Sequence, residues 1–261
     1  MQSSEIIQHP VIAVSIGGVI ADERPAKFEV KTLAGCPAEM TRLLYPADAG
    51  VGKIGDAITV SLISDSGDSP LTDLYFTGEI HDISVHGAYR ELIITDSFKK
   101  LVVSKFTAAY RKEKAASILD DILAAAGITE KKITCPDVEL ARFSTQNITA
   151  RLCIDLLIDA LKEHGVEGLV YFFDEKDTFH FGRENDSGKN DGDVFNFESA
   201  KDILKRGDGW IEVLPRPVRH TQKIMIDGKE TLTLRTSLIV SRKSSRLTIW
   251  TKEAAPPTEA A

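Results

Sequence analysis

The chain has 261 residues, of which 43% are apolar and 27% charged, and its 39 acidic against 32 basic side chains give a net charge of −7. A chain of this length buries roughly three-quarters of the surface its unfolded form exposes, so a core forms without staples, and the composition excludes a disordered or fibrous protein. The acidic balance argues against a non-specific nucleic-acid binder, which needs a basic face to displace counterions, but it allows a local basic patch.

The N-terminal stretch carries Glu5 where a signal peptide would be basic. Its apolar run from Val11 to Ile20 is short and broken by Gly17 and Gly18, so it predicts a strand with a turn and no membrane insertion. Ile12, Val14 and Ile16 alternate with Ala13 and Ser15, and Phe28, Val30 and Thr32 with Glu29 and Lys31, the two-residue period of half-buried strands. Gly35 to Gly52, with Pro37 and Pro46, reads as an irregular loop with one helical turn around Met40. Ile58, Val60 and Leu62 mark the next strand, and the turn-formers SDSGDSPLTD follow. Leu74, Phe76 and Ile80 then share a strand face; Gly78 within it predicts a bulge or a close backbone approach. After a turn at His86 and Gly87, Glu91 to Thr95 continues the meander, a pattern of sandwiches and barrels.

From Lys112 to Ala126, apolar residues fall at helical spacing and Gly127 stands at the left-handed cap position. A second helix is predicted from Ile148 to His164, with Asn147 as N-cap, Gly165 as stop, and Ile148, Leu152, Leu156, Ala160 and Leu161 as its apolar face. Leu169–Phe173 and Thr178–Gly182 then flank a turn. Residues 183–193 read as a polar loop, and Phe197–Arg206 as one short helix. Lys223–Ile226 and Thr231–Leu234 flank Asp227-Gly228, the sharpest hairpin signal, with Lys229 and Glu230 lengthening the loop. Ser237–Val240 and Arg246–Trp250 make a last hairpin before a tail of disordered composition. The order β-rich, helical, β-rich predicts a mainly β chain with inserted helices (α+β). Its domains are a first β domain at 1–106, a helical insertion at 107–165, a second β domain at 166–251 and a tail at 252–261.

Catalytic signatures are missing: there is no GxSxG elbow, P-loop, GxGxxG after a strand, or HExxH. Catalytic, cofactor-binding and metal-ligating residues are therefore all expected to be none. Cys36, Cys135 and Cys153 form no CxxC pair and read as incidental thiols in a reducing compartment. The histidines His9, His81, His86, His164, His180 and His220 show no metal-ligand spacing. In the acidic loop Glu184–Asp193, Asp186, Asn190 and Asp193 miss the calcium-loop register, so a solvated turn is expected. Arg206-Gly-Asp208 reads as a helix end plus a turn. Arg216, Arg219, His220 and Lys223, with Arg242, Lys243 and Arg246, are the one concentration of positive charge. They face an acidic partner or nucleic acid, or form a solvated loop face.

Several segments in order resemble the baseplate (tail) hub family of contractile-tailed phages: the late control protein D type, the Mu-type hub and the first part of type VI secretion spike proteins. They are IGDAITVSL, LYFTGEIHDISV and the run from Tyr89 to Ile128, carrying Gly55, Phe76, Gly78, Ile80, Asp96, Phe98 and Ala126-Gly127-Ile128. The helix Ile148–His164 followed by GLVYFFDEKDTFHFG is similar to the family's second helix and its following hairpin. The likeness covers residues 50–250. It implies two tail-tube-like β-barrels with a small helical segment, and a non-enzymatic homotrimer whose six barrels join a hexameric tail tube to a trimeric spike. The implied partners are tail tube protein, spike protein and tape-measure protein, with DNA sliding through the lumen unbound. The implied location is the virion tail baseplate, assembled in the bacterial host cytoplasm. A type VI-like hub, a carboxylate-dependent hydrolase and a small-ligand-binding barrel are the alternatives.

Overall fold

The structure, a computed structural model, describes residues 11–33, 39–63, 72–183, 194–241 and 244–252. His9, Cys36, the acidic loop 184–193, Arg242, Lys243 and the tail from 253 lie outside the described residues. The chain divides into two compact units, one of Met1–Thr95 with Gly188–Ala261 and the other of Asp96–Ser187. It is mainly β, with 56% of the described residues in strands.

In the first unit the chain runs through β1 (Val11–Ile16), β2 (Val19–Ile20), β3 (Lys27–Leu33), β4 (Glu39–Pro46), β5 (Ala57–Ile63), β6 (Thr72–His86) and β7 (Tyr89–Thr95). In the second it forms α1 (Phe98–Val103), β8 (Lys105–Lys114), α2 (Ala115–Ala125), β9 (Lys131–Ile133), β10 (Glu139–Thr149), α3 (Ala150–Glu163), β11 (Leu169–Phe173) and β12 (Phe179–Arg183). It re-enters the first unit with β13 (Phe195–Phe197), β14 (Ile203–Gly207), β15 (Trp210–Val213), β16 (Lys223–Ile226), β17 (Lys229–Ser241) and β18 (Ser245–Lys252).

Thirteen strands of the first unit make one sheet in the order β14-β15-β18-β17-β3-β4-β7-β6-β5-β1-β2, with β13 and β16 branching from β17. The antiparallel pairing of β17 with β3, from Arg235↔Leu33 to Ser241↔Lys27, joins the early and late parts of the chain. Among the described strands no ring of pairings closes. The alternation read from the sequence is the alternation of burial: Phe28, Val30 and Thr32 in β3, and Ile58, Val60 and Leu62 in β5, all point into one core. Val213, Leu238 and Leu247 from the late strands share that core. Of the two expectations at Gly78, a bulge or a close backbone approach, the second holds: a β-carbon there would lie 2.5 Å from the Thr95 carbonyl and 2.8 Å from the Phe76 ring.

Three local expectations are corrected here. The turn around Met40 is strand β4, which pairs with β7 along Thr41↔Ile94 to Pro46↔Tyr89. Phe197–Arg206 is not a helix. Phe195–Phe197 is drawn into parallel pairing with β16, and only a turn closed by Asp202 N–H to Glu198 C=O (2.8 Å) separates it from β14. The RGD tripeptide accordingly sits at the β14–β15 hairpin, where Gly207 pairs with Trp210. Asp227-Gly228 is a two-residue turn, because Lys229 already pairs with Ile226; φ values of 50° and 78° give it the left-handed geometry such hairpins need.

In the second unit β8 and β10 form a two-stranded ribbon, and β11, β12 and β9 a three-stranded sheet. The hairpin β11–β12, read with the second β domain in the sequence, shares a core with the helices: Phe98, Leu119, Ile122, Cys153, Leu157, Tyr171 and Phe179. Helix α2 starts at Ala115 because Lys112–Lys114 stay in β8, paired with β10 through Leu140↔Glu113 and Glu139↔Lys114. It ends as predicted at Gly127, where φ is 70° and Ile128 N–H reaches back to Leu123 C=O (2.9 Å). The N-cap of α3 is Thr149, whose Oγ1 accepts from Leu152 N–H at 3.2 Å, and not Asn147. Asn147 has φ 49° at the irregularity of the ribbon and donates its N–H to Thr107 Oγ1. The buried face of α3 is Ala150, Cys153, Ile154, Leu157, Ile158 and Leu161, whereas Leu152 and Leu156, expected in the core, are 46% and 41% exposed.

Candidate functional surfaces

The centre of the basic cluster singled out in the sequence is not on the surface. The segment between β15 and β16 threads into the first unit, and Arg216, Arg219 and His220 are each less than 5% exposed. A buried guanidinium needs acceptors on its rigid fork of donors. Arg216 Nη2 donates to Asp202 Oδ1 at 2.9 Å and the guanidinium stacks over the Phe197 ring at 4.9 Å. Burial pushes its pKa down, and the Asp202 charge opposes that. Arg219 Nη1 donates to the Tyr75 carbonyl at 2.6 Å, and its guanidinium lies 6.0 Å from the Tyr75 and Phe76 ring centres. Tyr75 is fully buried; its hydroxyl donates to Val218 C=O, and burial pushes its pKa up to about 12. His220 N–H meets Thr32 Oγ1, which is hydrogen-bonded to Thr236 Oγ1 at 2.7 Å. Of the remaining basic residues, Lys223 pairs with Glu230 at 3.0 Å and Arg246 approaches Glu212 at 4.0 Å. Arg216, Arg219 and His220 thus form a polar seam inside the first unit, closed to an acidic partner or nucleic acid, whereas Lys223 and Arg246 stay part-exposed in ion pairs.

His180 has a buried carboxylate partner. Its Nε2 lies 2.9 Å from Asp174 Oδ2, with side chains 6% and 8% exposed, and its ring stacks on Phe172 at 4.9 Å. Asp174 Oδ1 also accepts from Lys176 N–H and Thr178 N–H. Burial pushes the Asp174 pKa up, but the hydrogen bonds from His180 and the two amides outweigh it and hold the carboxyl well below the usual carboxylate range. Three residues on, Asp177 binds Ser97 N–H and Oγ at 2.9 and 2.6 Å, and burial pushes its pKa up. Both carboxylates tie the β11–β12 turn, Asp174 to its own strands and Asp177 to the start of α1. Their place is architectural, since both are saturated by protein donors.

His81 and His86 stand exposed on β6, and His164 caps α3. Cys153 is buried and Cys135 half-buried; burial raises both thiols, Cys135 to about 11, so neither is a reactive thiolate. Among the described residues no group of three or more His, Cys, Asp or Glu side chains could hold a metal ion, and no helix is long and apolar enough to cross a membrane.

The surfaces left open to a partner carry exposed apolar side chains. In the first unit these are Val19 and Ile20 on the edge strand β2, Ile54, Val85 and Tyr89 at the β6–β7 hairpin, and Leu204 on β14, all above 50% exposed. In the second they are Val102 and Val103 at the end of α1 and Leu152 and Leu156 on α3. The ribbon β8–β10 presents an outer face of Thr107, Ala109, Arg111, Arg142, Ser144 and Gln146, all exposed. Sequence reasoning missed this face because its basic residues lie thirty residues apart and meet only through the pairing Arg111↔Arg142.

No protein-family model and no curated protein sequence matches the chain. Solved structures do. The chain is similar to the 43 kDa tail protein of prophage MuSo2 from Shewanella oneidensis, with a TM-score of 0.68 at 12% identity, covering 94% of this chain and 98% of that one. It is similar to a tail protein of Neisseria meningitidis MC58, with a TM-score of 0.68 at 10% identity over 94% and 97% of the two chains. It is also similar to an Escherichia coli type VI secretion component described as resembling the T4 tail proteins gp27 and gp5, with a TM-score of 0.67 at 12% identity over 93% and 77%. At these identities the likeness is one of fold, and it spans both units.

Proposed function

We propose that the chain is a structural hub of a phage tail or prophage-derived injection machine, with three copies forming a ring that joins a hexameric tail tube to a trimeric spike. The observation that carries this reading is the fold shared with two tail proteins along nearly the whole of all three chains. The early strands β1–β7 and the late strands β13–β18 supply two walls of similar make from one chain, each read as a tube-like barrel completed in the assembly. Three such chains give six walls, which matches a six-fold tube on one side and a three-fold spike on the other. Sheet edges that end at β2 and β14 are covered by neighbours in such a ring. The acidic chain suits a lumen through which DNA slides unbound, and tape-measure protein is the third partner of this site. The ring belongs to the virion baseplate and makes and breaks no covalent bonds.

A second reading keeps the ring and changes the machine: a hub of a type VI-like secretion system, favoured by the likeness to the Escherichia coli component. Light scattering on the purified chain tests the ring, with a trimer expected and a monomer at every concentration overturning it. Muramidase and peptidase assays are expected to stay blank; turnover that co-purifies with the chain through successive columns overturns the non-enzymatic reading.

A further inference from the structure

The second unit shows two unpartnered faces of opposite character. The middle of the ribbon's outer face is basic, and the one exposed carboxylate of its strands, Glu139, stands at the end of the ribbon opposite Lys114. Arg111 and Arg142 stand directly opposite each other across the two strands, and Lys112 follows at φ 51°, all exposed. Like charges in a cross-strand pair cost stability in the isolated chain, and no ion pair with an acid relieves either arginine among the described residues. Beside the arginines lie the short side chains of Thr107, Ala109 and Ser144, with Gln146 further along the strand.

Helix α3 shows the converse. With each residue turned by 100°, Leu152, Leu156, Asp159 and Glu163 fall within an arc of roughly 60°, opposite the buried face. Two leucines four apart stand in water at 46% and 41% exposure, followed along the same stripe by two carboxylates. Asp159 is held by Lys162 at 2.9 Å, an exposed pair of the kind a partner's cation replaces at little cost. Phe106 and Phe143 on the ribbon's inner face share a core with Cys153 and Leu157 of α3. The ribbon's outer face and the acidic leucine stripe therefore look away from that core in different directions.

We infer that these two faces bind each other between copies of this chain: the basic ribbon of one protomer receives the leucine-and-acid stripe of α3 of the next. Short side chains on the ribbon leave room for Leu152 and Leu156, and Arg111 and Arg142 reach the carboxylates. Because the two faces differ, the contact is head-to-tail, the kind that closes into a ring. A nucleic acid would satisfy the ribbon but leave the leucines in water, and the net charge of −7 opposes it. The inference rests on the ring reading above and names a contact within it.

The test uses the full chain in a dilution series followed by light scattering at physiological salt. R111E/R142E is expected to raise the concentration at which the trimer half-dissociates by about tenfold or more, and D159K/E163K to do the same. The chain carrying all four changes has both faces reversed and is expected to return to within about threefold of the unaltered protein, which separates lost complementarity from lost folding. A trimer indifferent to both pairs of changes overturns this contact while leaving the ring; a quadruple variant that does not recover overturns it also. An unaltered chain that never trimerises removes the ring and the contact together. Loss of duplex-oligonucleotide binding in R111E/R142E with an unchanged trimer assigns the ribbon to nucleic acid and overturns the inference.

Discussion

Two pairs of arginines, one in each unit, are handled in opposite ways. In the first, Arg216 and Arg219 are drawn inside, one onto Asp202 and Phe197, the other onto the Tyr75 carbonyl. In the second, Arg111 and Arg142 stand in water, face to face. Clustering along the chain flagged the first pair and missed the second. A loop dense in basic residues can fold inward when each guanidinium finds an acceptor and a ring, whereas a surface patch is assembled by strand register and leaves no local trace. Charge density along the chain is thus a poor guide to charge on the surface.

The largest effect expected from this comparison is at Arg216. Arg216→Met keeps most of the volume but strands Asp202 with its partner gone, and breaking a buried pair from one side costs about 3–5 kcal/mol. Urea unfolding monitored through the first unit's tryptophans, Trp210 and Trp250, measures it. Arg111→Met is expected to change the unfolding free energy of the second unit, followed by far-UV circular dichroism, by less than about 0.5 kcal/mol. Equal losses at both sites would erase the distinction between the units.

Much of the fold was legible where one physical rule acts alone. Alternation at Phe28 and Val30 or at Ile58 and Val60 needs only a sheet with one wet face, and Gly127 needs only a helix that must stop. The resemblance to tail hubs anticipated a mainly β fold like that of tail proteins, while the two barrels it implied are not closed among the described strands. Legibility failed where two rules compete. Apolar residues surround so much of α3 that a stripe through Leu152 and Leu156 scored as well as the buried one through Cys153 and Leu157, and only the tertiary environment decided. Phe197 was read into a short helix because its strand partner, Ile226 of β16, lies almost thirty residues away. The candidate surfaces were the least legible part, since the ribbon face exists only after β8 and β10 are in register.

Gly78→Ala is expected to cost about 1–3 kcal/mol, because the added methyl meets the Thr95 carbonyl, backbone that β6 and β7 hold in place, and the Phe76 ring. Thermal unfolding measures this; a neutral result would mean that the two strands can part. A smaller, pH-dependent effect belongs to Asp174. Its carboxyl is held below its unfolded value near 3.9, so it contributes stability above that pH, and the contribution is lost as pH falls through the folded value. Asp174→Asn is expected to lower stability by about 1–2 kcal/mol at pH 6, with the gap to the unaltered chain closing below about pH 4. Asp177, raised by burial, runs the other way: its contribution is present below the unfolded pKa and lost as pH rises through the folded one. Melting curves from pH 3 to pH 6 on Asp174→Asn and Asp177→Asn should therefore diverge in opposite senses. Parallel curves would contradict the assigned environments.

The smallest effect on stability is the most informative about assembly. Leu157→Ala empties a fully buried site and is expected to cost about 2–5 kcal/mol, whereas Leu152→Ala, five residues back on the opposite face of α3, removes atoms already in water and is expected to cost less than about 0.5 kcal/mol. An exposed leucine that does nothing for the monomer yet weakens self-association when shortened is spent on a partner. The pair of measurements, unfolding and half-dissociation concentration, should therefore separate the two leucines: Leu157→Ala moves the first, Leu152→Ala the second. If Leu152→Ala moves neither, the stripe is incidental surface, and the asymmetry between the buried arginines of the first unit and the displayed ones of the second says nothing about how copies meet.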